Sequence, residues 1–251
     1  MRAVMRVAIL VVALLAIGTV TASAASASEP AFFECAKLSG GVYKDKLCSE
    51  PGGAKGKYEL QEALGAAHEV TGKINTIHLD GEGAESAFEV GCEKSRVLGG
   101  RLTSPTSFGG VEIELANCDT GNLDCGALIG HHMHVIDLGP LAGPIGYISR
   151  GSHTVGVDLG PESGSTLAEF RCGGTGAPEY RLKGSIFGTL GGDTNTFSKG
   201  LQITLGGALG FEGGEPNRLS VEEISTTATE DLALSGTPWS LKTKSALELK
   251  A

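Results

Sequence analysis

Three histidines within four residues, His131, His132 and His134, form the densest group of metal-ligating side chains in the chain. On an extended strand, side chains i and i+2 share a face, so His132 and His134 can bring two imidazoles to one transition-metal ion, with His153 as a third ligand. No Asp or Glu in that run completes the set, and the competing reading is a polar strand face whose reverse carries Met133 and Val135. Asp119, Asn122 and Asp124 crowd hard oxygen donors into the stretch between Cys118 and Cys125, chemistry that suits calcium. The spacing and the terminal Glu of an EF-hand are missing, and Asp and Asn are also common turn formers.

Carboxylate pairs occur at Glu112 with Glu114 and at Asp158 with Glu162 or Glu169, which invites a glycosidase reading. Glu112 and Glu114 alternate with Val111, Ile113 and Leu115, so they belong to the wet face of a half-buried strand and not to opposite walls of a cleft. One Trp, four Tyr and eight Phe leave few rings for stacking on sugars once a core is filled. Ser152 and His153 are neighbours, and neighbours on a strand face opposite ways, so they do not make a nucleophile and its base. Residues 52–57 have the Gly/Lys flavour of a phosphate loop, but no Ser or Thr follows Lys57. No catalytic set and no cofactor motif emerges, and the sequence points away from an enzyme. A hydrolase with residues drawn from separate loops is the alternative, and an exported metal-binding protein using His132 and His134 is a second.

These side chains must be positioned in an exported, oxidised protein. Residues 1–27 read as a secretory signal peptide: Arg2 and Arg6 precede an apolar run over 7–20, and Ala22-Ser-Ala24 and Ala25-Ser-Ala27 offer small-residue cleavage sites. A membrane anchor needs about 20 apolar residues, and this run stops short. All six cysteines lie beyond it, an even count that favours three disulfides. Six cysteines allow 15 pairings. Proximity and strand logic suggest Cys35–Cys48 across a first hairpin, Cys118–Cys125 around the polar loop, and Cys92–Cys172 between distant strands. Zinc is disfavoured because no two cysteines have the two-to-four-residue spacing of a zinc knuckle.

After cleavage, 18 basic residues face 29 acidic ones, a net charge of −11. That balance excludes the basic faces which nucleic acid and anionic membranes require, and no second apolar segment inserts into a bilayer. The expected partner is an extracellular or cell-envelope ligand.

Glycine, at 39 of 251 residues, is about twice its usual ~7%, and eight Gly-Gly pairs fall mostly between runs that alternate apolar and polar. Such runs occur at residues 87–92, 111–115, 127–136, 145–148, 154–159, 167–172, 180–187, 201–205, 219–224 and 240–249. Period two with Val, Ile, Phe and Tyr predicts an all-β fold, an antiparallel sandwich or barrel of many short strands. One short helix is expected over 60–69, where Leu60, Ala63, Leu64 and Ala67 share a helical face. The chain divides into the signal peptide over 1–27, a cross-linked hairpin segment over 28–60 and a main β-domain over 61–251.

The hairpin segment carries Phe32-x-x-Cys35, then Gly41-x-Tyr43-x-Asp45-x-x-Cys48, then Gly56-x-Tyr58-Glu59. With Cys92-Glu-Lys-Ser95, Gly143-Pro-Ile-Gly-Tyr147, Val155-Gly-Val-Asp-Leu159 and Phe170-Arg-Cys172, these motifs resemble a group of uncharacterised secreted actinobacterial proteins. The likeness spans most of the mature chain, and residues 131–134 depart from it. It implies a secreted protein and supplies no activity.

Overall fold

The computed structural model describes residues 29–64, 68–82, 88–128, 134–191, 194–206 and 210–251. The expected signal peptide, His131 and His132 lie outside the described residues. Strand accounts for 64% of the described residues, and the expected all-β class holds. Among the described residues no helix is long and apolar enough to cross a membrane.

Numbered in chain order, eight antiparallel strands close a first barrel: β3 (Val70–Lys73), β6 (Arg96–Ser104), β7 (Ser107–Ala116), β10 (Val135–Ser149), β11 (Thr154–Pro161), β14 (Ile186–Gly191), β15 (Ser198–Leu205) and β18 (Trp239–Lys250), which pairs back to β3. Eight more close a second: β4 (Thr76–Gly81), β5 (Glu89–Glu93), β8 (Cys118–Asp119), β9 (Asp124–Ala127), β12 (Thr166–Cys172), β13 (Glu179–Gly184), β16 (Leu219–Glu223) and β17 (Thr229–Gly236), which returns to β4. A hairpin of β1 (Ala31–Lys37) and β2 (Tyr58–Glu62) hangs on the last residues of β18.

The two rings follow the same cyclic order. Each strand of the first runs on into its counterpart in the second, β3 into β4, β7 into β8, β11 into β12 and β15 into β16, and the chain returns from β5 into β6 and so on to β17 into β18. The fold is therefore an up-and-down meander of eight long strands, each interrupted midway, which yields two barrels stacked end to end. Alternation explains both interiors. In β7, Val111, Ile113 and Leu115 are buried and Glu112 and Glu114 face outward, the arrangement expected of that run. Trp239, the single tryptophan, is buried in the first barrel among Val70, Val97, Val111, Ile203 and Leu241.

Most interruptions are one or two residues long and use left-handed backbone. Lys94 (φ 55°), Asn117 (φ 53°) and Gly184 (φ 100°) sit at three of them. A Cβ on Gly184 would lie 1.9 Å from the Arg218 carbonyl oxygen, so only glycine fits there. Neighbouring interruptions are stitched together: Ile74 N donates to Ser95 O at 2.8 Å, and Thr237 N donates to Thr76 O at 3.0 Å.

Several expectations are corrected. The run at 180–187 is two strands in different barrels, broken at Gly184 and Ser185. The run at 127–136 splits between β9 and β10. The helix over 60–69 is replaced, in its described part, by the end of β2 and an extended segment. There Ala63 is fully buried and its amide donates to Phe32 O at 2.9 Å, so sheet pairing overrides a helix that Gly65 already weakens.

All six cysteines are oxidised, as expected, but only Cys35–Cys48 pairs as expected. The other bonds are Cys92–Cys118 and Cys125–Cys172. Cys92, Cys118, Cys125 and Cys172 stand side by side, in register, on β5, β8, β9 and β12. Cys118 and Cys125 are indeed neighbours, yet each bonds to its outer neighbour, with Cα atoms 4.0 Å apart in both bridges. Cys92 and Cys172 are three strand spacings apart, about 14 Å, beyond the reach of a disulfide.

Candidate functional site

The connection between β15 and β16 breaks the pattern of short interruptions, running over residues 206–218. Its described part is pinned to the first barrel. Phe211 meets Phe187 edge-on, with ring centroids 5.2 Å apart, over Gly146, where a Cβ would come 2.8 Å from the Phe211 ring. Arg150 N donates to a Glu212 carboxylate oxygen at 2.6 Å, and Glu212 N donates to Tyr147 O at 2.7 Å. Where this connection enters the second barrel, the seam opens into a cleft of about 250 Å³.

The accessible lining of the cleft is mostly polar, with a charged mouth over a floor of buried apolar side chains. Ile186, Phe187, Leu219 and Leu232, each less than a tenth exposed, form the floor. Above them Arg218 stands with Glu82 and Asp231, all three exposed. Glu82 is held by its backbone, whose N–H donates to Asp231 O at 2.8 Å. None of these three charges enters an ion pair among the described residues, whereas Arg171, Arg181 and Lys183 on the same barrel are bound to Glu179, Glu169 and Glu222. An unpaired guanidinium beside two unpaired carboxylates is equipped to hold a ligand that carries both signs of charge.

Ser185 forms the inner edge. Its hydroxyl donates to Asn217 Oδ1 at 2.8 Å, and Asn217 Nδ2 donates to Ser185 O at 2.9 Å, a reciprocal pair that fixes the start of β14 against the start of β16. The same hydroxyl reaches the carboxyl of Asp158 on β11, whose pKa is raised, chiefly by burial and with the Ser185 contact opposing. One hydroxyl hydrogen serves one acceptor at a time, and Asp158 Oδ1 has no partner among the described residues.

The side chains singled out from the sequence do not gather here, Asp158 excepted. His134 sits at a turn (φ 69°) with Nδ1 3.2 Å from Asp124 Oδ1, and His153 sits in the turn after β10 (φ 53°). The fifteen residues of β10 lie between them, on the order of 40 Å of strand, which removes His153 as a shared ligand. Asp119 and Asp124 oppose each other across β8 and β9, but Asp119 Oδ1 accepts the Gly121 N–H at 2.7 Å in a local turn and Asp124 faces His134. Asn122 is exposed. Glu114 pairs with Arg96 at 2.9 Å, Glu169 pairs with Arg181 at 2.7 Å, and Glu162 accepts the Gly110 N–H, so the carboxylates paired from the sequence are each engaged elsewhere. Ser152 Oγ is 2.7 Å from Thr154 Oγ1. Residues 52–57 hold a 3₁₀ turn (Gly53–Lys55), and a Cβ on Gly56 would lie 1.7 Å from Gly41 O, so that glycine serves close backbone packing.

Sequence reasoning missed Arg218, Asn217, Ser185, Glu82 and Asp231. For Asn217 and Arg218 the linear signal is the long gap between the strands expected at 201–205 and 219–224, since long connections concentrate function, whereas Ser185, Glu82 and Asp231 carry none. Comparisons of the chain with protein-family models, with curated proteins and with solved structures find no match.

Proposed function

We propose that this chain is an exported, non-enzymatic binding protein that holds a small zwitterion, of amino-acid or dipeptide size, in the cleft at the barrel seam. The observation that carries the reading is the unpaired trio of Arg218, Glu82 and Asp231 at the mouth of that cleft. Arg218 takes the ligand's carboxylate or phosphate, the two acids take its ammonium group, and the apolar floor covers its hydrocarbon part. The volume is small for a binding pocket, which restricts the ligand to about that size. Three disulfides, with the signal peptide expected over 1–27, support action outside the cytoplasm, as an extracellular or envelope protein.

The test is calorimetric titration of the oxidised mature protein with a panel of amino acids and dipeptides, against neutral sugars and simple monoanions. Saturable binding of one zwitterion class is expected, weakened at least ~10-fold by Arg218→Ala, because a charge-assisted hydrogen bond contributes about 1.5–3 kcal/mol. Binding of sugars alone, or affinity indifferent to Arg218→Ala, refutes the reading.

A further inference from the structure

The outer wall of the second barrel is electrostatically divided. On the side formed by β12, β13 and β16, the acids are neutralised: Arg181 binds Glu169 and Glu222, Lys183 binds Glu222 at 2.7 Å, and Arg171 binds Glu179. On the side formed by β4 and β5, Ile77 and Leu79 point into the core and alternation turns His78 and Asp80 outward, on one face two residues apart. Glu89 stands directly opposite Asp80 on β5, and Gly91 stands opposite His78. The imidazole lies over that glycine, where a Cβ would be 3.5 Å from Nδ1, and the other neighbours are the small Ala233 and Ser235 on β17. One ligand atom each from His78, Asp80 and Glu89 falls within 4.8 Å of the others. No Lys or Arg pairs with either acid among the described residues.

We infer that His78, Asp80 and Glu89 form a binding site for a first-row divalent transition-metal ion, with zinc as the representative. One imidazole nitrogen and two carboxylate oxygens are a borderline donor set, harder than the thiolate sites of structural zinc and softer than the all-oxygen cages of calcium. Atoms bound to one tetrahedral zinc lie about 3.4 Å apart, given bonds of about 2.1 Å, so small rotations of three solvent-accessible side chains complete the set. The ladder between β4 and β5 holds their backbones in register, which keeps the site assembled without the ion. Three protein ligands leave at least one coordination position for water or for a group from a partner. The metal itself neutralises the two adjacent carboxylates that no basic side chain attends. This inference is independent of the cleft, whose charged residues lie outside the triad.

The experiment is calorimetric titration of metal-free, oxidised mature protein with zinc, paired with electron paramagnetic resonance of the copper(II)-loaded protein. The parent should bind one zinc ion per chain at this site, and copper should show coupling to an imidazole nitrogen. His78→Ala, Asp80→Asn and Glu89→Gln should each weaken zinc at least ~10-fold, since even partners one shell further from a metal cost that much. The carboxylate variants are near-isosteric and should leave Trp239 fluorescence unchanged, so lost binding is not lost folding. His134→Ala and Arg218→Ala should bind zinc as the parent does. Absence of zinc binding by the parent, or a His78→Ala variant that binds as tightly as the parent, overturns the assignment. In the second case the zinc sits elsewhere on the chain.

Discussion

The carboxyl of Asp158 is half-buried on β11, one hydroxyl away from the cleft, and its pKa lies above the usual carboxylate range because burial disfavours the charged form. The sign of its effect follows from linkage. A raised folded-state pKa means that the folded protein binds the proton more tightly, so the associated stability is fully present below the unfolded value of about 3.9 and is lost as pH rises through the folded pKa. Asp158→Asn removes that titration at nearly unchanged side-chain size. Urea melts should show the variant gaining on the parent between pH 4 and pH 7, with little difference at the acid end. A gain that does not grow with pH would remove burial of a charge as the cause. Asp158 was visible in the sequence only as half of a carboxylate pair, because alternation marks which face a residue takes and not which other strand arrives beside it. The cysteines show the same limit. Their oxidation was expected from an even count in a chain read as exported, whereas four cysteines in one row across β5, β8, β9 and β12 depend on a strand order that the linear text does not contain.

Among the elements, the strands that were legible are those with β-branched residues in alternation, such as β7 and β11. Those missed include β3, β4 and β6, which are diluted by Gly, Lys, His, Asp and Arg, and the short β8 and the β17 strand with its acidic start, and their pairing partners lie elsewhere along the chain. The missed alternation Ile77, His78, Leu79, Asp80 is what hid the metal-ligating triad. The β1–β2 hairpin was legible as a cross-linked unit, and its two ends are held differently. Its base is anchored by Phe32, which is 2% exposed, meets Phe108 edge-on at 5.7 Å, and donates its N–H to Pro105 O. Its tip is held by Cys35–Cys48 and by Asp45, whose carboxylate accepts the N–H groups of Leu47 at 2.8 Å and Glu50 at 2.7 Å. Replacing both cysteines by Ala should therefore loosen residues 38–57 and leave the barrels intact. Hydrogen exchange in that stretch should accelerate, by up to the equivalent of about 3 kcal/mol for a crosslink closing a loop of this length, while the Trp239 fluorescence midpoint stays put. A lowered midpoint would mean that the tip is part of the cooperative core.

At the scale of the whole molecule the two barrels look like two domains and cannot behave as such. The first ring needs β3 and β18, the second β4 and β17, so each ring spans nearly the whole described chain, and no single cut yields either one. Every strand of one barrel is also covalently continuous with a strand of the other across interruptions mostly of one or two residues, and those interruptions are hydrogen-bonded to each other in pairs. Opening the second ring would strip the partners from Ile74, Ser95, Thr76 and Thr237 at the edge of the first. Chains of this size commonly unfold through intermediates, one domain at a time. Here interleaving predicts a single transition under non-reducing conditions. Trp239 fluorescence reports the first barrel, and the amide signals of Val90 and Phe170, buried in the second, report the other by nuclear magnetic resonance. Their urea midpoints should coincide. Refolding should be slow, because the closing pairs join residues as distant as Lys73 and Ser240, and such contacts are entropically costly to bring together. Midpoints that separate would show that the seam is a hinge between two independent units, and would require the cleft lined by Ser185, Arg218 and Asp231 to open with it.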